Sequence, residues 1–588
     1  MTRLVDPTGA DAAPVLRVEG LCVAARSDKG PVPLIQDMSF TLSRGEVLAI
    51  AGESGSGKSI TSLAVMGLLP PPAVGVTAGS VLLGDIDLTR LPEARMRAVR
   101  GNRVAMIFQE PMTSLNPVMS IGAQLTEALR AHAEVSSGQA RALAIAALTS
   151  VRISEPARRL SQYPHELSGG MRQRVMIAMA LALKPDVLIA DEPTTALDVT
   201  VQREVLDLLR DLQRETGTAI ILITHDMGVV AEMADRVIVM KSGRMVEEGT
   251  VSRIFAQPDQ PYTRELLAAV PRMGAGAARG GQPPDTAPVA SLADLQVGFD
   301  LKGGFFGRTT HRVHAVEHIT FDIRAGETFA LVGESGCGKS SVARAMAGLV
   351  PHHGRIEIGG QRLGRLDRQA MKAFRRNVQV VFQDPAAALD PRMRAADLLG
   401  EPLLIHGIGD PQNRRAQVED LFARVGLTRD QMDRYPHEFS GGQRQRLCIA
   451  RALALKPKLI IADESVSALD VSVQARVLAL LEELKQDFGI AYLFISHDMA
   501  VVENIADRVA VMYLGQIVEL GTRDQVFGNP QHPYTRRLIN AVPVPDPSYV
   551  RPSVARLGGE VPSPVLPVGQ SPVRVRLMDT GRGHLVAL

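Results

Sequence analysis

Two glycine-rich stretches carry the most specific chemistry in the chain. GESGSGKS (Gly52–Ser59) and GESGCGKS (Gly333–Ser340) each follow a short apolar run and precede a helix-like stretch. Backbone N–H groups in such a loop curl around phosphates, the helix N-terminus adds its dipole, and a lysine and a hydroxyl complete the cradle. The residues predicted to bind phosphate are Gly52, Ser54, Gly55, Gly57, Lys58, Ser59, Gly333, Ser335, Gly336, Gly338, Lys339 and Ser340.

A pair of carboxylates ends one apolar run in each half. Asp191 and Glu192 follow DVLIA, and Asp463 and Glu464 follow KLIIA. A carboxylate at the carboxyl end of a strand faces the ligand crevice of an open α/β sheet. The aspartates, with the hydroxyls of the two glycine-rich loops, are predicted to hold Mg²⁺, and the glutamates to polarise an attacking water. Taken alone, each pair could instead cap the next helix.

A Ser-Gly-Gly turn recurs upstream of each acidic pair. LSGGMRQR spans Leu167–Arg174 and FSGGQRQR spans Phe439–Arg446. A turn of this kind that opens a helix is either a second anion site or an ordinary capped helix start. The repetition at the same place in both halves favours the anion site. Its predicted residues are Ser168, Gly169 and Gly170 in the first half and Ser440, Gly441 and Gly442 in the second.

The elements that must position these residues are short buried strands alternating with helical stretches. EVLAIAG, DVLIADEP and AIILITHD in the first half correspond to TFALVG, KLIIADES and IAYLFISHD in the second. This alternation predicts an α/β fold with a mainly parallel sheet covered on both faces. A near-constant offset relates the halves, so the chain is predicted to be a tandem duplication.

The length and composition fit this plan. A chain of 588 residues exceeds what one hydrophobic core can organise, so several domains are expected. We place the first domain at 14–272, a Gly/Ala/Pro linker at 273–290, the second domain at 291–543 and a C-terminal tail at 544–588. The tail is rich in Pro, Val and Gly and is expected to be poorly packed.

Charge, cysteine content and hydropathy exclude several classes of protein. The formal charge of +2 gives no electrostatic footprint for nucleic acid. Three scattered cysteines, Cys22, Cys337 and Cys448, favour neither a disulfide framework nor a metal cluster and fit a reducing compartment. The N-terminus has no apolar core typical of a signal peptide, and no stretch is long and apolar enough for a membrane span.

Taken together, these motifs resemble the ATP-binding-cassette ATPases. The first set comprises GESGSGKS, Gln109 in FQEP, LSGGM, LIADEP, ALD (Ala196–Asp198) and His225 in ITHD. The second comprises GESGCGKS, Gln383 in FQDP, FSGGQ, IIADES, ALD (Ala468–Asp470) and His497 in ISHD. The resemblance covers roughly Val15–Val270 and Leu292–Val542. It implies two P-loop NTPase domains, each with a helical subdomain, and ATP and Mg²⁺ as cofactors.

The resemblance also implies two composite ATP sites, because cassettes of this family meet head to tail. One site would join Lys58, Ser59, Gln109, Asp191, Glu192 and His225 to the turn at Ser440–Gly442. The other would join Lys339, Ser340, Gln383, Asp463, Glu464 and His497 to the turn at Ser168–Gly170. The histidines would contact the γ-phosphate, the glutamines would reach the metal and the water, and Asp198 and Asp470 would relay signals between sites. Fusion raises the effective concentration of the partner half.

The two halves differ in three features that bear on the nucleotide sites. Met171 stands where the second half has Gln443, so one polar contact to the nucleotide is expected to be lost. Phe305 and Phe306 could stack on adenine, whereas the first half offers only Arg26 for a cation–π contact. Cys337, inside the second P-loop, is expected to be a small filler at a tight turn.

Within the family, the chain resembles the oligopeptide/dipeptide importer ATPases, and most of all the double-cassette ATPases of bacterial glutathione importers. MTSLNP, PHELSGGMRQR and the terminal PYTRELLAAVP and PYTRRLINAVP carry the resemblance to the peptide importers. The resemblance to the glutathione importers is carried by ALDPRM, RYPHEFSGGQRQRLCIARALALKPK, FGIAYLFISHDMAVVENIADRVAVMYLGQIVELG and NPQHPYTRRLINAVPVPDP. It implies a peripheral location on the cytoplasmic face of the bacterial inner membrane, two membrane permease subunits and an extracytoplasmic solute-binding protein. Nucleic acid and direct contact with the transported molecule are not expected.

The alternatives concern what the ATPase drives. The cargo could be glutathione, dipeptides, oligopeptides or nickel. A soluble twin-cassette translation factor is disfavoured because the linker here is short and rich in Gly and Pro. A DNA-organising ATPase is disfavoured because neither heptads nor cysteine clusters are visible.

Overall fold

The computed structural model describes residues 13–110, 114–195, 197–274, 286–303, 308–467, 469–549, 551 and 565–587. The chain divides into two compact units. The first comprises 1–197, 201–270 and 543–550, and the second comprises 198–200, 271–542 and 551–588. None of the described helices is long and apolar enough to cross a lipid bilayer.

The core of the first unit is a six-stranded sheet with the order β10-β9-β3-β8-β7-β6. Five of its strands run parallel and β10 is antiparallel to β9, which confirms the predicted, mainly parallel sheet. The strands of this half are β1 (Leu16–Ala25), β2 (Val32–Leu42), β3 (Val47–Ala51), β4 (Val74–Leu83), β5 (Ile86–Asp87), β6 (Val104–Ile107), β7 (Val187–Asp191), β8 (Ala219–Thr224), β9 (Arg236–Lys241) and β10 (Arg244–Thr250).

A second, antiparallel sheet of order β2-β1-β4-β5 packs near the glycine-rich loop, and helices complete the unit. A helical subdomain is built around Ile121–His132, Ser137–Ser150 and Gly169–Leu181, whose buried faces share one core. The helices of this half are Lys58–Val65, Glu93–Val99, Ile121–His132, Ser137–Ser150, Pro156–Arg159, Gly169–Leu181, Val199–Thr216, Met227–Met233, Val251–Ala256 and Pro261–Ala269.

The second unit repeats both sheets, and each has one or two additional strands at one edge. Its core sheet has the order β16-β17-β18-β13-β19-β20-β23-β22, and its antiparallel sheet has the order β15-β14-β11-β12-β21. The strands are β11 (Pro288–Gly303), β12 (Arg308–Arg324), β13 (Thr328–Val332), β14 (His353–Ile358), β15 (Gln361–Leu363), β16 (Val378–Val381), β17 (Leu459–Asp463), β18 (Ala491–Ser496), β19 (Arg508–Tyr513), β20 (Gln516–Thr522), β21 (Val565–Pro567), β22 (Leu577–Asp579) and β23 (Leu585–Ala587).

Helices surround the second sheet as in the first unit. The segments Ala395–Ile405, Pro411–Arg424 and Gly441–Leu453 form its helical subdomain. The full set is Lys339–Met346, Arg368–Asn377, Pro385–Ala388, Ala395–Ile405, Pro411–Arg424, Gly441–Leu453, Val471–Phe488, Met499–Ile505, Arg523–Gly528 and Pro533–Ala541.

The expectation of a poorly packed tail is wrong at β21 and at residues 577–587, whereas most of residues 568–576 is exposed. β21 pairs with β12, and β23 pairs with both β20 and β22, so the tail extends both sheets of the second unit. Val586 is fully buried. An edge strand offers unpaired backbone N–H and C=O groups, and a strand of three residues can use them without showing any sequence periodicity. The composition of the tail therefore concealed its packing.

A buried histidine fastens this tail. His584 Nε2 lies 2.9 Å from Glu519 Oε1, and the Glu519 carboxylate also accepts the backbone N–H groups of Gln531 (2.8 Å) and His532 (3.0 Å). In the first unit, Glu247 accepts the corresponding N–H groups of Asp259 and Gln260. Glu519 thus ties β20, the segment before the terminal helix, and the tail together.

We expect His584→Ala to loosen the tail, because the variant removes one partner of a buried hydrogen bond. The local free energy of opening should fall by about 1–3 kcal/mol. Hydrogen exchange at the amides of β20 and β23 is the measurement, with the exposed His353→Ala as the matched control. Unchanged exchange in β23 of the His584 variant would show that backbone pairing alone holds the tail.

Candidate nucleotide-binding sites

The first glycine-rich loop connects β3 to the helix Lys58–Val65. Gly52 has a φ of 148°, and a Cβ atom there would lie 2.3 Å from the carbonyl oxygen of Met240, so the loop leaves the sheet only with glycine at this position. Lys58 Nζ donates to the carbonyl oxygens of Gly52 (2.8 Å) and Glu53 (2.9 Å). These bonds close the loop into a ring around a buried ammonium group.

The hydroxyl of Ser59 and the carboxylate of Asp191 meet beside this loop. Ser59 Oγ donates to Asp191 Oδ1 at 3.1 Å, because β7 lies next but one to β3 and ends at the same edge of the sheet. Burial raises the pKa of Asp191 to about 6, against the opposing effect of the Ser59 hydrogen bond. The predicted pairing of serine and aspartate is therefore present.

Three side chains converge on the Glu192 carboxylate. His225 Nδ1 lies 3.0 Å from Glu192 Oε1, and Gln109 Nε2 (2.9 Å) and Thr195 Oγ1 (2.8 Å) donate to Oε2. Burial opposes ionisation, but the hydrogen bond and the charge of His225 outweigh it and lower the pKa of Glu192 to about 2. The bond to Glu192 in turn raises the pKa of His225. The carboxylate is therefore held ionised.

Both glutamates adopt left-handed backbone conformations. The φ angles are 47° at Glu192 and 48° at Glu464, a region that residues with a Cβ atom enter at a cost. Each amide is anchored across the sheet, with Glu192 N donating to Ile223 O and Glu464 N donating to Ile495 O. This backbone turn aims each carboxylate at the histidine that follows the neighbouring strand.

The second unit builds the same arrangement. Lys339 Nζ donates to Gly333 O (2.7 Å) and Glu334 O (2.9 Å), and Ser340 Oγ donates to Asp463 Oδ1 at 3.1 Å. Gln383 Nε2 donates to Glu464 Oε2 at 2.8 Å.

His497 completes this second site at a longer distance. His497 Nδ1 lies 3.5 Å from Glu464 Oε1, compared with 3.0 Å for the corresponding atoms of the first unit. The hydrogen bond from His497 lowers the pKa of Glu464, and burial raises the pKa of Asp463. The structure therefore brings the sequence-predicted residues together in each unit.

The sequence analysis missed two residues that bond Glu192 or the residue after it. Thr195 donates to the Glu192 carboxylate, whereas its counterpart Ser467 donates to the backbone oxygen of Glu464. Gln173 is buried and its Nε2 donates to the carbonyl of Pro193 at 2.5 Å. The sequence offered a signal for Thr195, because a hydroxyl residue stands three positions after each glutamate.

The two Ser-Gly-Gly turns begin the helices Gly169–Leu181 and Gly441–Leu453. Ser168 and Ser440 are the N-caps, and their Oγ atoms accept from Met171 N and Gln443 N. Gln443 Oε1 accepts from Ser440 N at 3.0 Å, which closes a capping box that Met171 cannot form. The difference at this position thus changes the helix start itself.

The second glycine of each turn is required by packing. A Cβ atom at Gly170 would lie 2.6 Å from Val201 Cγ1, and one at Gly442 would lie 2.2 Å from Val473 Cγ1. The first glycine of each turn, Gly169 or Gly441, has open space at its Cβ position. Each turn is therefore fixed against the helix that follows the acidic pair.

The remaining predicted residues lie outside the two glutamate clusters. Asp198 and Asp470 directly precede the helices Val199–Thr216 and Val471–Phe488. The Asp198 carboxylate accepts a hydrogen bond from the backbone N–H of Ser335 in the second glycine-rich loop, within the second unit. Arg26 is exposed, and Phe305 and Phe306 lie outside the described residues. Cys337 is 5% exposed, as a filler would be, and burial raises the pKa of its thiol.

Comparison with known proteins gives matches along the whole chain. The pattern of the family described as "ABC transporter" matches residues 35–195 and 316–467. A second family pattern, described as "Oligopeptide/dipeptide transporter, C-terminal region", matches residues 246–297 and 518–567. The chain is 52% identical to the glutathione import ATP-binding protein GsiA of Shigella boydii serotype 4, over 98% of this chain and 97% of that protein.

The GsiA protein of Escherichia coli K12 matches with the same identity and coverage. Among solved structures, cbiO1 from Clostridium perfringens, part of the ABC transporter complex cbiONQ, is 26% identical. That match covers 41% of this chain and 91% of cbiO1, with a TM-score of 0.36.

Proposed function

Because the chain belongs to the ATP-binding proteins of ABC transporters, with two cassettes in tandem, we propose that it drives the import of glutathione. The membership confirms the family predicted from the sequence, and the chain is an ATPase whose hydrolysis is coupled to transport. The observation that carries the cargo is the 52% identity to a glutathione import protein over 98% of the chain. Short peptides are the second candidate, supported by the oligopeptide/dipeptide region in both halves.

We propose two composite ATP sites. In each, the lysine, serine, glutamine, aspartate, glutamate and histidine of one cassette face the Ser-Gly-Gly turn of the other. The pairing is Lys58, Ser59, Gln109, Asp191, Glu192 and His225 with Ser440–Gly442, and Lys339, Ser340, Gln383, Asp463, Glu464 and His497 with Ser168–Gly170. The two helix starts support this proposal, because the backbone N–H groups that begin Gly169–Leu181 and Gly441–Leu453 are suited to a second contact with a phosphate.

The glutamate of each site is proposed to position the attacking water and to act as its general base. The lowered pKa of Glu192 keeps the carboxylate ionised, so that it can accept a hydrogen bond from the water and orient it, and makes positioning its main contribution. His225 holds Oε1 of Glu192, and Gln109 and Thr195 hold Oε2. The histidine and the glutamine thereby fix both the charge and the direction of the base.

The residues beside each P-loop fit a magnesium ion. Ser59 with Asp191, and Ser340 with Asp463, supply a hydroxyl and a carboxylate, which are the oxygen ligands that Mg²⁺ prefers. Gln109 and Gln383 use their amide nitrogens toward the glutamates, which leaves an amide oxygen for the metal side. When bound with ATP, the ion would neutralise charge on the phosphates.

The proposed partners and location follow from the importer role. The chain would work at the cytoplasmic face of the inner membrane as a peripheral subunit, with two permease subunits and an extracytoplasmic solute-binding protein. It would not touch the transported molecule. We retain 14–272 and 291–543 as the functional domains, 273–290 as the linker and 544–588 as the tail.

Uptake of labelled glutathione tests the cargo. Cells that lack this gene should regain uptake with the wild-type chain but not with a Glu192→Gln/Glu464→Gln variant, and excess unlabelled di- and tripeptides should not compete. If peptides abolish the uptake, the cargo is short peptides. If deletion leaves glutathione uptake unchanged, the glutathione proposal is wrong, and dipeptides, oligopeptides and nickel are the next cargoes to assay.

A further inference from the structure

A basic surface of the second unit has no part in the nucleotide sites. Residues 351–377 contain seven basic and two acidic residues, a formal charge of +5 in a chain whose total is +2. All seven basic side chains are exposed. We call this surface the basic face. It consists of Arg355 on β14, Arg362 on β15, Arg365 in the following loop, and Arg368, Lys372, Arg375 and Arg376 on the helix Arg368–Asn377.

The helix presents its cations on one side. Arg368, Lys372 and Arg375 are spaced by four and three residues, so they lie on the same face of the helix. Phe374 is 0% exposed and packs into the core of the antiparallel sheet. Burial of Phe374 therefore fixes the helix with its charged side toward solvent.

Within the described part of the chain, the cations of this surface outnumber their acidic neighbours. None of the seven forms an ion pair with a described acidic residue. Glu357 lies opposite Arg362 on the paired strands β14 and β15, and Asp367 is the N-cap that accepts from Ala370 N at 2.7 Å. The corresponding helix of the first unit differs. There, Glu93 pairs with Arg97 (3.4 Å) and Arg100 (2.7 Å). In the first half, one glutamate of this element thus pairs with two of its arginines, whereas the helix Arg368–Asn377 contains no acidic residue.

A helix of the same unit ends in two exposed apolar side chains. Leu404 and Ile405 end the helix Ala395–Ile405 and are 62% and 57% exposed. The next residue is His406, whose pKa is lowered by burial and then by the charges of Lys372 and Arg376. His406 thus lies within electrostatic range of the basic helix, and the apolar pair lies next to it.

We propose that the basic face binds the phosphate headgroups of anionic phospholipids, with Leu404 and Ile405 entering the apolar boundary below them. This rests on the proposed function, which places the chain beside a bilayer. Six of the seven cations are arginines, whose planar forks match phosphate oxygens in pairs. A cluster of this number of basic residues beside apolar side chains is typical of surfaces attracted to anionic lipid.

Nucleic acid fits these observations less well. The only Phe, Tyr or Trp residue in 351–377 is Phe374, which is buried, so the face has no aromatic platform on which bases could stack. The total charge of the chain is also small for a nucleic-acid-binding protein. Lipid is therefore the occupant that the charge and the apolar neighbours favour.

Vesicle co-sedimentation of the full chain tests the proposal. The probes are vesicles of phosphatidylcholine alone and of phosphatidylcholine mixed with phosphatidylglycerol. The test variant is Arg368→Gln/Lys372→Gln/Arg375→Gln/Arg376→Gln. The matched control removes four exposed cations of the first half, as Arg95→Gln/Arg130→Gln/Arg141→Gln/Arg214→Gln.

We expect the wild type and the control to bind only the anionic vesicles, and to be released when salt is raised from about 0.05 to about 0.5 M. The test variant should partition at least about tenfold less. Equal loss in the control, or equal binding to neutral vesicles, would overturn the proposal. The proposal would also be overturned if duplex DNA displaced the vesicles and bound more tightly than they do. That result would assign the basic face to nucleic acid.

The result is separable from the proposed cargo. Suppose that the variant loses vesicle binding and that the wild type does not import glutathione. The glutathione proposal would then be wrong, and the lipid-binding proposal would stand. Intact glutathione import with no preference of the wild type for anionic vesicles would reject the lipid surface alone.

Discussion

Replacing Glu192 and Glu464 together by glutamine is expected to lower ATP turnover by at least about a hundredfold while ATP still binds. Glutamine keeps the shape of each side chain but cannot accept a proton from water. The hydrogen bonds from Gln109 and Gln383 can persist to the remaining amide oxygen. Phosphate release under saturating ATP is the measurement, with ATP binding followed in parallel.

The single variants separate the two sites. Because both cassettes keep the glutamate and its histidine, each single substitution should lower turnover, and neither should be silent. The matched control is Glu134→Gln/Glu483→Gln, which changes two exposed glutamates far in sequence from the motifs. Full activity in either single variant would mean that one site does not contribute to turnover.

Replacing Lys58 and Lys339 by alanine is the second large effect, and it acts on binding. Each ammonium group is buried in its P-loop and bonds two carbonyl oxygens of the loop. Without the ammonium group, the site loses its charge-assisted hydrogen bonds to the phosphates of ATP. These are worth about 3 kcal/mol in total, so ATP binding should weaken about a hundredfold. Equilibrium binding of a fluorescent ATP analogue measures it.

The control for this experiment is Lys29→Ala/Lys302→Ala, which removes two exposed lysines. Circular dichroism and thermal unfolding should show that Lys58→Ala and Lys339→Ala remain folded. Unchanged ATP affinity in a folded double-lysine variant would show that the backbone N–H groups and the helix dipole suffice for phosphate binding.

Much of the fold was predictable because the buried strands carry continuous apolar runs. VLAIA in β3 and VLIAD in β7 are buried at every position, and such runs bounded by glycine or acidic residues are typical of parallel strands. The acidic pairs were predictable for the same reason, since they follow these runs directly. The pairing of Ser59 with Asp191 was predicted from the two motifs and not from the distance between them in the sequence; the sheet order β3-β8-β7 is what brings the two side chains together.

Other features left no pattern in the sequence. β23 has three residues and pairs through backbone groups that every residue possesses, so the tail gave no sign of its packing. Thr195 reaches the Glu192 carboxylate through a side-chain rotamer, while Ser467 at the matching position turns to the backbone. The composite pairing of the two halves stays a prediction, as do the roles of Asp198 and Asp470.

The left-handed backbone at Glu192 and Glu464 has an evolutionary consequence. Glycine would occupy these φ angles at no steric cost, so selection for a sturdier scaffold alone would favour glycine at both positions. The chain instead keeps a long acidic side chain there, twice, at the expense of folding stability. By the role proposed for these glutamates, glycine at either position would give a folded cassette that binds ATP without hydrolysing it, so the backbone cost is the structural counterpart of the proposed turnover.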